Sequence, residues 1–389
     1  MLWRHRAVTA LFAMLVVASC AAPATTQPTP TAAGPTPSPT ATPRAELKLG
    51  AALALTGFAA SFGQAQKQAI ELAAKAINAG QDGPRVTVVV EDTASDPRQA
   101  ITVFQKLINV DRVAAILGPT STQESESADP IAQQSKVPVV AISNTGLTLL
   151  AIGDHIFRVS MSEASVIPNA VKYVKQQSAA TRAAVIWGSD DDFTKSGHEV
   201  FLQAFRTEAI PVVSDQSFAK GDLDFTAQLT NIRAQNPQVL AVSAQVQEGA
   251  LILQQARRLG ISATIIGGNA FNNQLLIQQA GAAAEGVIVG AAWDSTAPGP
   301  RQQFIEAYRS AYSAAPNQFA AQAYESVFIL HDAAKSAQTT TDRTGIREGL
   351  LKVRRTGVLG DFSFFPTREP NYTPMVQQIK NGAYVVVGR

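Results

Sequence analysis

The chain of 389 residues is predicted to be an α/β protein of two doubly wound parallel-sheet lobes, on three observations. From residue 46 to residue 289, short apolar runs alternate with helical patterns, as in parallel sheets with helices on both faces. The runs are β-branched and apolar throughout, as strands buried on both faces require. There are also too many of them for one open sheet of ordinary size, so two sheets are expected.

The amino terminus reads as a leader. Arg4, His5 and Arg6 precede an apolar run over 7–17 that is too short for a standard membrane span. Val17-Ala18-Ser19-Cys20 follows, and small residues before a lone Cys resemble the bacterial lipobox, which places lipid on Cys20. A plain secretory leader cut elsewhere is the alternative. Because Cys20 is the only cysteine, an intramolecular disulfide and a thiolate cluster are both excluded. Residues 21–45, almost all Pro, Thr, Ala and Ser, cannot pack a core and are expected to be a disordered tether.

In the body, 46–53 forms a strand, Leu55-Thr56-Gly57-Phe58-Ala59-Ala60-Ser61-Phe62-Gly63 leads into a helix with Ala69, Leu72, Ala73, Ala76 and Ile77 on one face, and 86–90 is the second strand. Asp96-Pro97 opens the next helix, with a capping acid followed by Pro at the first position. Then comes the stretch that organises the rest. Strand 113–117 breaks at Gly118-Pro119 into Thr120-Ser121-Thr122-Gln123 and a helix through 134, and strand 137–142 ends in Ser143-Asn144-Thr145-Gly146. Thr120 with Gln123 fits a capping box, although Thr122 could equally cap. In such a βαβ unit, ligands sit beyond the carboxyl ends of the strands, and a helix start offers free backbone N–H groups to an anion. Two ordinary capped turns would also account for it. Strands at 156–159, 183–187, 212–217, 239–243, 264–266 and 287–289 continue the alternation with helices at 166–177, 193–208, 225–234, 249–259 and 275–279. The carboxyl end differs: helices 301–313, 318–337 and 343–352 precede strands 362–365, 375–380 and 383–387, the last two joined by an Asn381-Gly382 hairpin turn. Such an ending suggests a chain that crosses back between lobes.

No GxGxxG, no phosphate loop, no GxSxG elbow and no HExxH is present, so neither a cofactor nor an enzymatic function is expected. His5, His155, His198 and His331 are scattered singly. Asp190-Asp191-Asp192 lacks the spacing of a calcium loop, and helix capping explains one of the three, so no metal is expected. A formal charge of +2 falls to neutral once Arg4 and Arg6 leave with the leader, which gives no footing for nucleic acid.

Leader and lipobox, Leu55-Thr56-Gly57 with Ser61-Phe62-Gly63, Glu91-Asp92-Thr93 with Asp96-Pro97, Leu117-Gly118-Pro119-Thr120-Ser121-Thr122, Ile142-Ser143, Phe157-Arg158 and Ala284-Glu285-Gly286-Val287 together resemble, in order over nearly all of 46–389, the branched-chain amino-acid binding proteins of ABC transporters. These are type I periplasmic-type binding proteins. The resemblance implies two lobes joined by three crossovers, lobe one at 46–160 and 293–371 and lobe two at 161–292 and 372–389. It implies a small-molecule ligand held between them and delivery to an ABC permease and ATPase complex, on the outer side of a bacterial membrane. A ligand-sensing receptor feeding a signalling partner is the alternative on the same fold. Carried over by position, Thr120, Ser121 and Thr122 resemble the loop that holds the ligand's carboxylate, and Ser143, Asn144 and Thr145 resemble the second loop, shorter here than the family's Ser-Pro-x-x-Thr run. Phe62 and Phe193 resemble aromatics that are often Tyr in the family. With Phe58, they could offer packing or cation–π contact. Gln245 lies on a strand-end loop facing the cleft. Asn269 stands where the amino-acid binders carry the acid that pairs with the ammonium, and can offer an amide oxygen but no charge. The resemblance therefore implies a small carboxylate, amide or amphipathic solute ahead of leucine-like amino acids, with Asp190–Asp192 and Glu248 the acids that would reach an ammonium.

Overall fold

The computed structural model describes residues 13–21 and 44–388. Most of the leader and tether lies outside the described residues; residues 13–21 are exposed and carry no helix or strand, with Cys20 among them. Among the described residues no helix is long and apolar enough to cross a membrane.

From Arg44 onward the chain folds as a unit of its own. Its first sheet takes β1 (Glu46–Leu53), β2 (Arg85–Asp92), β3 (Ala115–Leu117), β4 (Val139–Ala141) and β5 (Ile156–Arg158), all parallel in the order β2-β1-β3-β4-β5. Three helices connect these strands: α1 (Ala60–Ala79), α2 (Pro97–Gln105) and α3 (Thr122–Gln134). The inner strands β3 and β4 are buried at every position, which is why their sequences read as continuous apolar runs. On α1 the buried face carries Phe62, Ala69, Ile70, Ala73 and Ile77; Leu72 is half-buried and Ala76 exposed, so the stripe sits about one residue from its expected place. Asp96 caps α2 as expected, accepting from Arg98 N with Pro97 at the first position. The helix then runs on into a π-helical turn at Lys106–Val110 that the sequence does not announce.

The second sheet is built by β6 (Ala183–Gly188), β7 (Val212–Phe218), β8 (Val239–Ser243), β9 (Thr264–Gly267) and β10 (Ile288–Ala291), alternating with α4 (Glu163–Ser178), α5 (Asp192–Thr207), α6 (Thr226–Ala234), α7 (Val246–Arg258) and α8 (Gln274–Ala280). The chain then leaves through α9 (Pro300–Tyr312), α10 (Gln318–Ser336) and α11 (Arg343–Lys352), which pack with the first sheet's core, and a small antiparallel sheet of β11 (Arg354–Gly357), β12 (Gly360–Phe364) and β13 (Pro370–Asn371). It returns to the second sheet as β14 (Met375–Lys380) and β15 (Ala383–Gly388), antiparallel on its edge in the order β15-β14-β10-β9-β8-β6-β7. Asn381 and Gly382 both take positive φ in the connecting turn, as a two-residue hairpin requires.

In each sheet the strand order reverses beside one strand, β1 in the first and β6 in the second. Crevices open at the carboxyl ends of the strands at such points. The loops leaving β1, β3 and β4 and those leaving β6, β8 and β9 line the cavity described next.

Candidate functional site

The cavity is lined by Phe58, Ala59, Phe62, Thr120, Ser121, Thr122, Ser143, Phe193, Gln245, Asn269, Ala270 and Phe319. Four phenylalanines form its apolar walls, with Phe62 and Phe319 meeting edge to face at 4.7 Å.

One polar wall is the start of α3. The helix is capped by Ser121, not by Thr120 or Thr122: Ser121 Oγ accepts from Glu124 N at 3.4 Å and Glu124 Oε2 accepts from Ser121 N at 2.8 Å, a reciprocal capping box. Ser125 N donates to Ser121 O. The amides of Thr122 and Gln123 are then the first-turn donors without an acceptor in the helix, and they carry the positive end of its dipole. Thr122 Oγ1 likewise makes no hydrogen bond within the protein, whereas the other hydroxyls of this wall are already engaged. Thr120 Oγ1 accepts from Ala54 N (3.0 Å) and donates to Gln66 Oε1 (2.8 Å), while Ser143 Oγ accepts from Gln66 Nε2 (2.7 Å) and donates to Thr120 O (2.6 Å). The buried Gln66 thus ties the loops after β3 and β4 together, and Thr120 and Ser143 shape the wall rather than offer free hydroxyls.

Two residues expected here do not reach the cavity. Asn144 is 1% exposed and its amide donates to Ser121 O and Ser125 Oγ, both at 2.7 Å; Thr145 is fully buried against Glu163. Of the residues that follow β4, only Ser143 reaches the lining.

The opposite wall comes from the second sheet. Asp191 caps α5 through Thr194 N, which brings Phe193 to the cavity, and the same carboxylate accepts from Gln245 Nε2 at 3.2 Å. No carboxylate joins the lining: Asp190 accepts from Lys220 N, Asp192 pairs with Lys195, and Glu248 accepts from Gly221 N. Among the described residues no three His, Cys, Asp or Glu side chains converge as a metal site. The ring of Phe58, which lines the cavity, is covered by Lys220, whose Nζ lies 3.4 Å from the ring centroid. Lys220 lies beyond β7 and Phe58 beyond β1, so this contact joins the two walls at the rim, as do Gln123 Nε2 to Asp190 O (3.2 Å) and Asn273 Nδ2 to Ser61 Oγ (3.1 Å).

Asn269 lines the cavity, but its amide oxygen is not free, since it accepts from Gln318 Nε2 at 2.7 Å. Its backbone N–H donates to Glu163 Oε1 at 3.0 Å. Glu163 is fully buried, and burial pushes its carboxyl up to about 7. Phe319, beside Gln318, was missed because an apolar residue in the first turn of a helix looks like any core residue. Glu163 was missed because nothing in sequence marks the first residue of α4 as a neighbour of Asn269.

The family profile for periplasmic binding protein matches residues 46–383. The Leu/Ile/Val-binding protein homolog 3 of Brucella melitensis is 25% identical over 309 residues, covering 79% of this chain and 83% of that one. A leucine binding protein from Thermotoga maritima superposes with a TM-score of 0.83 at 26% identity, over 88% of this chain and 98% of that one. A branched-chain amino acid transporter substrate binding protein from Streptococcus pneumoniae, in complex with isoleucine, gives 0.81 at 28% identity, over 88% and 100%. The chain belongs to the periplasmic binding protein family.

Proposed function

We propose that this chain is an extracytoplasmic solute-binding protein that captures a small carboxylic acid with an apolar body and delivers it to an ABC permease and its ATPase, without chemical conversion. One observation carries the ligand class. The Thr122 amide and hydroxyl, at the open start of α3, face a cavity walled by Phe58, Phe62, Phe193 and Phe319, with no carboxylate in the lining. A carboxylate seated there gains charge-assisted hydrogen bonds of roughly 1.5–3 kcal/mol each. An ammonium would have no anion to pair with, and burying it unpaired costs several kcal/mol. The relatives' names point to transport of branched-chain amino acids, and the pocket is built for the same acid end and apolar body. In this reading, 46–160 with 293–371 and 161–292 with 372–389 are the two lobes, in keeping with the strands each sheet recruits. Cys20 is the lipid-bearing residue of a protein held on the membrane surface; a Cys20→Ala chain that still partitions with membranes as the parent does would refute that anchor.

A thermal-shift panel on the protein tests the ligand class. Branched and aromatic carboxylic acids are expected to raise the melting temperature, their neutral amides to raise it less, and Thr122→Val to reduce the acids' effect. Stabilisation by leucine, isoleucine or valine with none by any des-amino analogue would show that the ammonium is being read and would overturn the proposal.

A further inference from the structure

Asn269 and Gln318 are each 4% exposed, and their amides are oriented by a donor whose identity is fixed. Ala292 N donates to Gln318 Oε1 at 3.1 Å. A backbone N–H can only donate, so the atom of Gln318 that faces it must be the oxygen. Nε2 is then the atom turned to Asn269, which it reaches at 2.7 Å, and the atom it meets must be Oδ1. This leaves Asn269 Nδ2, with two hydrogens, on the cavity side, where no protein acceptor meets it. The Asn269 backbone is held on both sides, by Glu163 Oε1 on its N–H and by Asn272 Nδ2 on its carbonyl at 3.2 Å.

We infer that Gln318 is a specificity-determining residue: held by the Ala292 amide, it turns Asn269 so that Nδ2 faces the cavity, and the pocket selects acids that carry an oxygen acceptor where an amino acid carries its ammonium. The inference rests on the reading of the cavity as the seat of a small acid. An ammonium has only donors and would face the Asn269 donor, whereas a 2-oxo or 2-hydroxy group accepts from it. Gln245 is fixed in the opposite sense. Its Nε2 is committed to Asp191, so its oxygen is the group left for a ligand donor, and a 2-hydroxyl could serve both amides.

Calorimetric titration of matched pairs that share a skeleton and a carboxylate tests this: leucine with 4-methyl-2-oxopentanoate, phenylalanine with phenylpyruvate, alanine with pyruvate. The wild type is expected to favour the oxo acid by about tenfold or more in at least one pair, one unmade buried hydrogen bond being worth that much. In Gln318→Glu, the carboxylate still accepts from Ala292 N but can no longer donate. Asn269 must then turn Nδ2 towards it and Oδ1 to the cavity, and the preference should swing towards the amino acid by about tenfold or more. Asn269→Asp should swing it the same way, and it decides the matter if Gln318→Glu does not melt cooperatively. A wild type that prefers the amino acid in every pair it binds, or folded variants with an unchanged ratio, would overturn the inference. If that ratio is unchanged while Thr122→Val still weakens both members of a pair, the acid seat survives and only the inference falls. No binding by any of the six probes would count against both.

Discussion

Replacing Gly118 with alanine is expected to destabilise the protein by about 3 kcal/mol or more and to weaken acid binding at the same time. Gly118 follows β3 at φ +106, a region that residues with a Cβ rarely adopt, and an added Cβ would lie 2.2 Å from Ala52 O on the neighbouring β1. That obstacle is a central strand of the sheet and cannot give way as a side-chain tip would. Relief must come from the chain that follows, which is Pro119 to Thr122, the loop that aims the free amides of α3. Urea unfolding would check the stability loss and titration with an acid from the thermal-shift panel the affinity. A loss under about 1 kcal/mol would mean that the two strand ends are farther apart than described.

Stability should also fall between about pH 4.5 and pH 7, and Glu163 is one cause. Below about 4.5 this carboxyl is protonated in both folded and unfolded chains and contributes no difference. As pH rises, the unfolded chain releases its proton near the ordinary value of 4.5, while burial keeps the folded carboxyl protonated to about 7. In that window the folded state binds more protons, so stability declines with pH, by roughly 3 kcal/mol in total from this one group. Burial raises Asp129 and Glu325 too, which adds to the slope, while Asp154, lowered to about 2 chiefly by its hydrogen bond with Gln133, acts in the opposite sense only at lower pH. Glu163→Gln keeps an oxygen for Asn269 N and removes the titration. It should flatten the decline between pH 5 and pH 8 and make the variant the more stable protein at pH 8. Parallel pH profiles for variant and wild type would place the proton elsewhere.

The strands were legible in the sequence wherever burial on both faces leaves no room for polar residues, as at Ala115–Leu117 and Val139–Ala141. Arg354–Gly357 was not, because an edge strand reading Arg-Arg-Thr-Gly has neither alternation nor an apolar face. Helix starts were placed late, at 166 and 249 rather than at Glu163 and Val246, since periodicity begins only where the apolar stripe does, while the first turn is set by polar groups. In the site, residue types at the strand ends pointed to the loops that converge. They could not distinguish Thr122, whose hydroxyl is free, from Thr120 and Ser143, whose hydroxyls are taken up through Gln66. The Asn269 amide was beyond reach for a similar reason: its orientation is decided by Gln318 and Ala292, and no local pattern connects these positions.

The central claim, that an acid is held by the opening of α3, is tested most directly by a crystal structure of the protein soaked with the acid that gives the largest thermal shift. The account predicts its carboxylate within about 3 Å of the Thr122 and Gln123 amides, its apolar body among Phe62, Phe193 and Phe319, and its oxygen substituent, where it has one, against Asn269 Nδ2. A carboxylate turned away from α3, or an acid bound outside this cavity, would contradict it.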